Sequence, residues 1–235
     1  MNRHLVVQLV VLGACAWAIV EFAANFPYPS PIIRPLLPPR ERWPTKQIEG
    51  WVDSQHFAPG FLNYFARDPH RTIPPGANLV APADGAVTME LHRDNVSYLV
   101  IAMSFWDVHV IRAPAAGVVI DLAKDGIRVT RHNMSEAEKL ENIYEKGKDA
   151  PVQKIVSFST PLGEIKVHMI TSYWASRIKI WVYRGQKIAK GERIGRILLG
   201  STTVLEVPGN IKFSVRQGEH VRGGESIVYR ENERP

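Results

Sequence analysis

At Gly200-Ser201, inside Leu198-Leu199-Gly200-Ser201-Thr202-Thr203-Val204, the chain carries the two residue types that an acyl shift requires. A serine Oγ can attack the carbonyl before it, moving the acyl group from nitrogen to oxygen. Glycine helps, because a residue without a side chain permits a strained approach at that carbonyl. The step needs a base to take the hydroxyl proton and donors to stabilise the oxyanion. β-Elimination from the ester leaves dehydroalanine, which hydrolyses to a pyruvoyl group. Taken alone, Gly-Ser-Thr reads as a turn.

Four more residues bear on that chemistry. Asp84 sits in Val80-Ala81-Pro82-Ala83-Asp84-Gly85-Ala86-Val87 and His109 in Phe105-Trp106-Asp107-Val108-His109-Val110-Ile111-Arg112-Ala113-Pro114. An aspartate on a Gly turn can accept the Nδ1–H of a histidine, leaving Nε2 as a base; equally, it can cap its own turn. His109 is either that base or a satisfied strand histidine. Arg112 suits a lipid phosphate, or Asp107 or another nearby carboxylate, since a guanidinium fits both. His168 alternates with Val167 and Met169, which reads as structural, and it is the second candidate base.

Short strands must position these groups. Runs of branched residues at Tyr98–Met103, Gly117–Ile120, Ile127–Thr130, Ile155–Phe158 and Ile165–Ile170, separated by Gly, Pro, Asn and Asp, predict a mostly β domain. Val182-x-x-Gly185-x-x-Ile188-x-x-Gly191-Glu192-x-Ile194 recurs 33 residues later as Val215-x-x-Gly218-x-x-Val221-x-x-Gly224-Glu225-x-Ile227. Two such units predict a flattened, quasi-symmetric barrel-sandwich like that of lipoyl and biotinyl carriers, which speaks to fold and little to function. Ser135 to Lys148, with a Ser135/Glu138 capping box, is expected to be a solvated helix or polar loop.

Residues 1–26 hold an apolar run, Leu5 to Ala24, long enough to span a bilayer. It reads foremost as a membrane anchor, with a cleaved signal peptide or a surface-lying helix as alternatives. Residues 27–47 are proline-dense and predict an extended, semi-rigid linker, and 48–235 form the remaining domain. Arg34, Arg40, Arg42 and Lys46 against Glu41 favour a cytoplasmic-facing body at the inner membrane of the cell and suit anionic headgroups. Trp51, Phe57, Phe61, Leu62, Tyr64 and Phe65 either meet the membrane interface or pack on the barrel. The net charge of +6 over 235 residues fits an anionic membrane or an acidic substrate. Without a dense basic cluster interleaved with aromatics, nucleic acid is not the expected partner. The single cysteine, Cys15, excludes an intrachain disulfide framework or a multi-cysteine zinc site.

Taken together, Phe65-Ala66-Arg67-Asp68-Pro69-His70-Arg71-Thr72-Ile73-Pro74, the Pro82–Gly85 turn, the Trp106–Pro114 stretch and Leu199-Gly200-Ser201-Thr202 resemble the phosphatidylserine decarboxylase family, in its short prokaryotic form. The resemblance covers roughly residues 60 to 228. It implies self-cleavage at Gly200-Ser201 into chains of 200 and 35 residues held as an obligate heterodimer, with a higher oligomer of that heterodimer left open. Ser201 would become the pyruvoyl group that condenses with the amine of phosphatidylserine; carbon dioxide leaves and phosphatidylethanolamine results, with no metal or diffusible cofactor. Asp84 matches the aspartate that family members use to orient a histidine for cleavage, and His109 matches the histidine that precedes the arginine-x-proline stretch. Longer family members carry a second histidine where this chain has Arg112, so either His109 serves both steps or another residue, such as His168, assists. Two rivals use the same barrel: a catalytically degenerate membrane adaptor or carrier, and a zinc cell-wall peptidase. The carrier lacks its lysine hairpin here, and the peptidase lacks its His-x-His.

Overall fold

In a computed structural model, residues 3–25, 33–125, 153–171, 177–198 and 201–231 are described. Gly200, the Ile127–Thr130 run and the Ser135–Lys148 segment lie outside them. The chain divides into two compact units, Met1–Phe61 and Leu62–Pro235.

The first unit begins with helix α1 (Arg3–Asn25), whose Arg3–Ala23 stretch is long and apolar enough to cross a membrane. At 1.5 Å per residue those 21 residues reach about 32 Å, matching the hydrocarbon thickness. The proline-dense stretch is not simply extended: it makes a 3₁₀ turn at Arg34–Leu36 and a short helix α2 (Pro39–Arg42). Each has a proline in its first turn, where the missing N–H costs nothing and the fixed φ is already helical. Helix α3 (Thr45–Ser54) follows and ends at Gln55 in the left-handed region, φ 57°. Around Phe61 gather Trp43, Trp51 and Phe57, with ring centroids 5.7, 5.4 and 6.3 Å away. Helix α4 (Pro59–Phe65) runs across the boundary between the units.

The second unit is mostly β, as the strand pattern predicts. Its strands are β1 (Asn78–Val80), β2 (Gly85–Arg93), β3 (Val96–Met103), β4 (Val110–Arg112), β5 (Gly117–Asp125), β6 (Gln153–Thr160) and β7 (Gly163–Thr171). Then come β8 (Arg177–Ile180), β9 (Lys187–Ile188), β10 (Arg193–Leu198), β11 (Ser201–Pro208), β12 (His220–Val221) and β13 (Ile227–Arg230). One curled sheet of eight strands, ordered β12-β2-β3-β11-β7-β6-β5-β9, is joined by a three-stranded sheet β4-β10-β8 and the pair β1-β13. Asp94 and Asn95, at φ 52° and 59°, make the tight turn between β2 and β3, as the twist of a two-residue hairpin demands.

The glycine repeats are the seams of a quasi-two-fold arrangement. Gly185 N–H bonds Val119 O at 2.7 Å, and Gly218 N–H bonds Val87 O at 2.8 Å. Gly191 N–H bonds Ala113 O and Gly224 N–H bonds Ala81 O, both at 2.8 Å. The acceptors form a second repeat: Pro82-Ala83-Asp84-Gly85-Ala86-Val87 corresponds to Pro114-Ala115-Ala116-Gly117-Val118-Val119. Reciprocal bonds tie these halves, Val80 N–H to Pro114 O (3.0 Å) and Arg112 N–H to Pro82 O (2.8 Å). Glycine is required at the shared corner. A Cβ at Gly85 would lie 2.3 Å from Ala102 O, and one at Gly117 would lie 2.4 Å from Ser159 O.

The main core lies on the face of the large sheet that carries Leu99, Ile101, Val167, Met169 and Leu205, with Ile111, Phe158, Ile194 and Ile197 beside them. A smaller cluster, Tyr98, Val100, Ile170 and Val204, occupies the opposite face. Period-two alternation within β3, β7 and β11 separates the two sets.

Candidate active site

Strand β11 starts at position 201, in register with Met103 of β3 and Thr171 of β7. It carries odd positions toward the main core and even positions toward the smaller cluster, so 201 shares the parity of Thr203 and Leu205. On the other side of Leu199-Gly200, Ile197 N–H bonds the His109 carbonyl at 3.2 Å. The stretch Met103–His109 is thereby tied to β10 just before Gly200 and to β11 just after it.

His109 is fully buried, its ring 4.2 Å from that of Phe65. Its Nδ1 lies 3.0 Å from the Asp107 carbonyl. A carbonyl only accepts, so in the neutral imidazole Nδ1 carries the proton and Nε2 the lone pair. Nε2 is buried and has no hydrogen-bond partner among the described residues. Burial first, and then the charges of Arg67 and Arg196, push the imidazole pKa down to about 4, against the raising effect of Asp107. At neutral pH the site thus holds an uncharged base with a free acceptor.

The same depression is a stability statement. An unfolded histidine titrates near 6.5, so between that pH and about 4 the unfolded chain binds the extra proton. The contribution is present above about pH 6.5 and lost as pH falls. Urea unfolding of the Ser201→Ala chain at pH 7 and pH 4.5 is expected to show a loss about 2–3 kcal/mol larger than that of the same chain carrying His109→Gln as well. Equal losses in both proteins would contradict the buried neutral state.

Asp107 organises this corner. Its Oδ2 accepts Ser104 N–H and Oγ–H, each at 2.7 Å, and its Oδ1 meets His220 Nε2 at 2.8 Å. Burial works to raise its pKa, but the bonds from Ser104 and His220 outweigh that and hold the carboxyl below its usual range. Neither Ser104 nor His220 stands out in the sequence; His220 is 113 residues from Asp107 and reaches it because β12 pairs with β2, beside β3.

Asp84 is buried but does not bond His109. Arg71 Nη2 donates to both its oxygens, at 2.9 and 2.8 Å, and Gly223 N–H donates to Oδ1 at 2.8 Å. Arg71 also reaches Glu225, 3.3 Å away. The repeat shows that the turn itself does not need this carboxylate, because Ala116 occupies the equivalent corner. Asp84 instead ties the entry loop to the Gly223-Gly224 turn.

Arg112, also buried, takes the carboxylate-pairing alternative. Nη2 contacts Asp68 Oδ1 at 2.6 Å, and Nη1 donates to Gly191 O at 3.0 Å. His168 pairs in register with Val204, an even position of β11, and so lies on the sheet face opposite the parity of 201. Its Nε2 meets Glu206 at 2.7 Å and its Nδ1 Gln153 at 3.2 Å; Lys166 completes the cluster on Glu206, also at 2.7 Å. Ser201 and His109 thus border one stretch of chain, while Asp84, Arg112 and His168 have other bonded partners.

Comparison with known proteins agrees with this architecture. Residues 59–229 match the family model for phosphatidylserine decarboxylase. A phosphatidylserine decarboxylase proenzyme of Chlorobaculum tepidum is 33% identical over 179 residues, 72% of this chain and 76% of the relative. One from Streptomyces coelicolor is 34% identical, with 77% of each chain covered. A putative archaetidylserine decarboxylase proenzyme of Archaeoglobus fulgidus is 31% identical over 73% of this chain and 78% of its own length. With one family model running from the start of α4 into the last strand, β13, the chain belongs to the phosphatidylserine decarboxylase family of carboxy-lyases.

Proposed function

We propose that this chain is a membrane-anchored proenzyme that cuts itself at Gly200-Ser201 and decarboxylates a serine phospholipid, phosphatidylserine being the reference substrate. The observation that carries the reading is His109: a buried imidazole held in one tautomer, with an unpartnered Nε2, on the stretch that ties both flanks of the cleavage segment.

His109 Nε2 takes the proton of the Ser201 hydroxyl as the acyl group moves. Asp107 keeps the ring in place through its carbonyl, while Ser104 and His220 fix the Asp107 carboxylate. Asp84 is a positioning residue: with Arg71 it holds the two turns that frame the corner. The residues present fit a pyruvoyl group at position 201. Thr203, of the same parity, buries a hydroxyl that has no partner among the described residues, where His109 Nε2 has none either. Once formed, the group supplies a carbonyl that takes the substrate amine and an electron sink for the pair left when carbon dioxide departs. His109 Nε2, neutral at the start of turnover, takes up the proton that the substrate ammonium sheds as it condenses and delivers that proton to the substrate carbon once carbon dioxide has left.

The β topology supports a two-chain product. Strand β11 is central in the large sheet, aligned over eight positions with β3 and six with β7. Cutting before Ser201 therefore leaves the 35-residue chain held by two ladders, and its β12 and β13 pair with β2 and β1. Helix α1 supports confinement of the enzyme to the surface that carries its substrate, which raises effective concentration. The juxtamembrane cations favour a cytoplasmic-facing body.

Full-length chain in mixed detergent micelles with phosphatidylserine is expected to yield phosphatidylethanolamine and carbon dioxide in equal amounts. A fully cleaved preparation that produces neither would overturn the reading.

A further inference from the structure

Five arginines lie near the corner formed by the entry loop, β4 and β10, and they divide into two groups. Arg71 pairs with Asp84 at 2.8 Å and Arg112 with Asp68 at 2.6 Å, and Arg193 also contacts Asp68. Arg67 and Arg196 have no carboxylate partner among the described residues. Neutral carbonyls and rings hold them instead. Arg67 Nη1 donates to Tyr64 O at 3.0 Å, Nη2 bonds Trp106 O, and the guanidinium sits 3.8 Å from the Tyr64 ring centroid. Arg196, opposite Val110 in β10, donates through Nη2 to Ala66 O at 2.9 Å and lies 5.6 Å from the Trp181 ring centroid. Its Nε is buried and has no partner among the described residues. Two pre-positioned, uncompensated cations thus stand where their fields reach the imidazole, for both act to lower the His109 pKa.

We infer that Arg67 and Arg196 seat the phosphodiester of the substrate headgroup beside His109, an assignment that rests on the decarboxylase reading above. A serine phospholipid offers two anionic groups, and chemistry selects between them. The carboxylate must shed its charge as carbon dioxide leaves; two guanidinium groups on it would stabilise the ground state and slow the step. The phosphodiester keeps its charge throughout. Gripping it binds substrate and transition state alike, and it matches the planar donor fork of arginine. The half-buried Tyr64 and Trp106 and the exposed Trp181 give the seat an apolar rim suited to the glycerol end of a lipid.

The test compares full-length native chain with Arg196→Gln and Arg196→Lys in neutral mixed micelles. All three are expected to self-cleave completely, since maturation involves no phosphate. For Arg196→Gln, KM for phosphatidylserine should rise about tenfold with kcat within about twofold, and Arg196→Lys should recover part of the loss. Soluble glycerophosphoethanolamine and inorganic phosphate should inhibit the native enzyme competitively and the Gln variant about tenfold more weakly. An unchanged KM in the Gln variant overturns the assignment. So does a KM effect that appears only when phosphatidylglycerol is added to the micelles, with unaltered inhibition by the soluble probes; that result would give the arginines to the membrane surface. A native chain that stays uncut or releases no carbon dioxide would instead defeat the decarboxylase reading, a distinguishable failure.

Discussion

Ser201→Ala is expected to leave the protein as one 26.4 kDa chain with no measurable decarboxylase activity. Alanine has no oxygen to attack the Gly200 carbonyl, so neither the break nor the carbonyl that follows from it can form. The fold should tolerate the change. Position 201 sits at the first residue of β11, and the ladders with β3 and β7 use its backbone. Denaturing gel electrophoresis and a carbon dioxide assay on the same preparation check both halves. A Ser201→Ala chain that is still cut would place the reactive residue elsewhere, with Thr202 and Thr203 the nearest hydroxyls.

The second large effect belongs to His109. Replacing the imidazole by the glutamine amide keeps a polar group against Phe65 but removes the base, and self-cleavage should slow by about 10²–10⁴-fold. Activity of whatever His109→Gln protein does mature, normalised to its cleaved fraction, should fall by a similar factor, because the same Nε2 returns the proton after decarboxylation. His168→Gln is the matching control: its imidazole is bound to Glu206 and Gln153 on the other face of the sheet, and its loss should leave both rates within about twofold. Full activity per cleaved His109→Gln chain would confine His109 to maturation.

What was legible in the sequence was the local chemistry and the repeat; what was hidden were contacts that depend on register. Gly-Ser, the Asp84 turn and His109 carried their own signatures, and the 33-residue repeat announced a quasi-symmetric β unit. The Pro114–Val119 counterpart of the Pro82–Val87 turn was also in plain view, but Ala116 in place of Asp84 masks it. Recognising it shows that Asp84 is not there to make its turn. Partnerships such as Asp107 with His220, or Arg71 with both Asp84 and Glu225, join loops that only sheet pairing brings together. His168 illustrates the limit most clearly. Alternation marked it as a strand residue, but which face it shares with Ser201 depends on the β7–β11 register, and a one-residue slip would reverse the answer. In the proline-dense segment, density suggested extension, while the placement of prolines at helix starts permitted short helical turns.

Asp84 and Arg112 show how burial redistributes charge at this site. The sequence allows Asp84 to orient a histidine or cap its turn and Arg112 to hold a phosphate or a carboxylate; in the fold Asp84 pairs with Arg71 and Arg112 with Asp68. The positive charge left over belongs to Arg67 and Arg196, and the base beside them is kept neutral by burial and by those same cations. On the proposed reading, the neutral imidazole serves as the base for self-cleavage and the two arginines as the seat for the substrate phosphodiester.

The most direct measurement is the intact mass of the purified full-length protein. The account predicts two chains of 200 and 35 residues, the smaller beginning at position 201 with a blocked, pyruvoyl N-terminus. A single uncut 26.4 kDa species in a preparation that converts phosphatidylserine would contradict it.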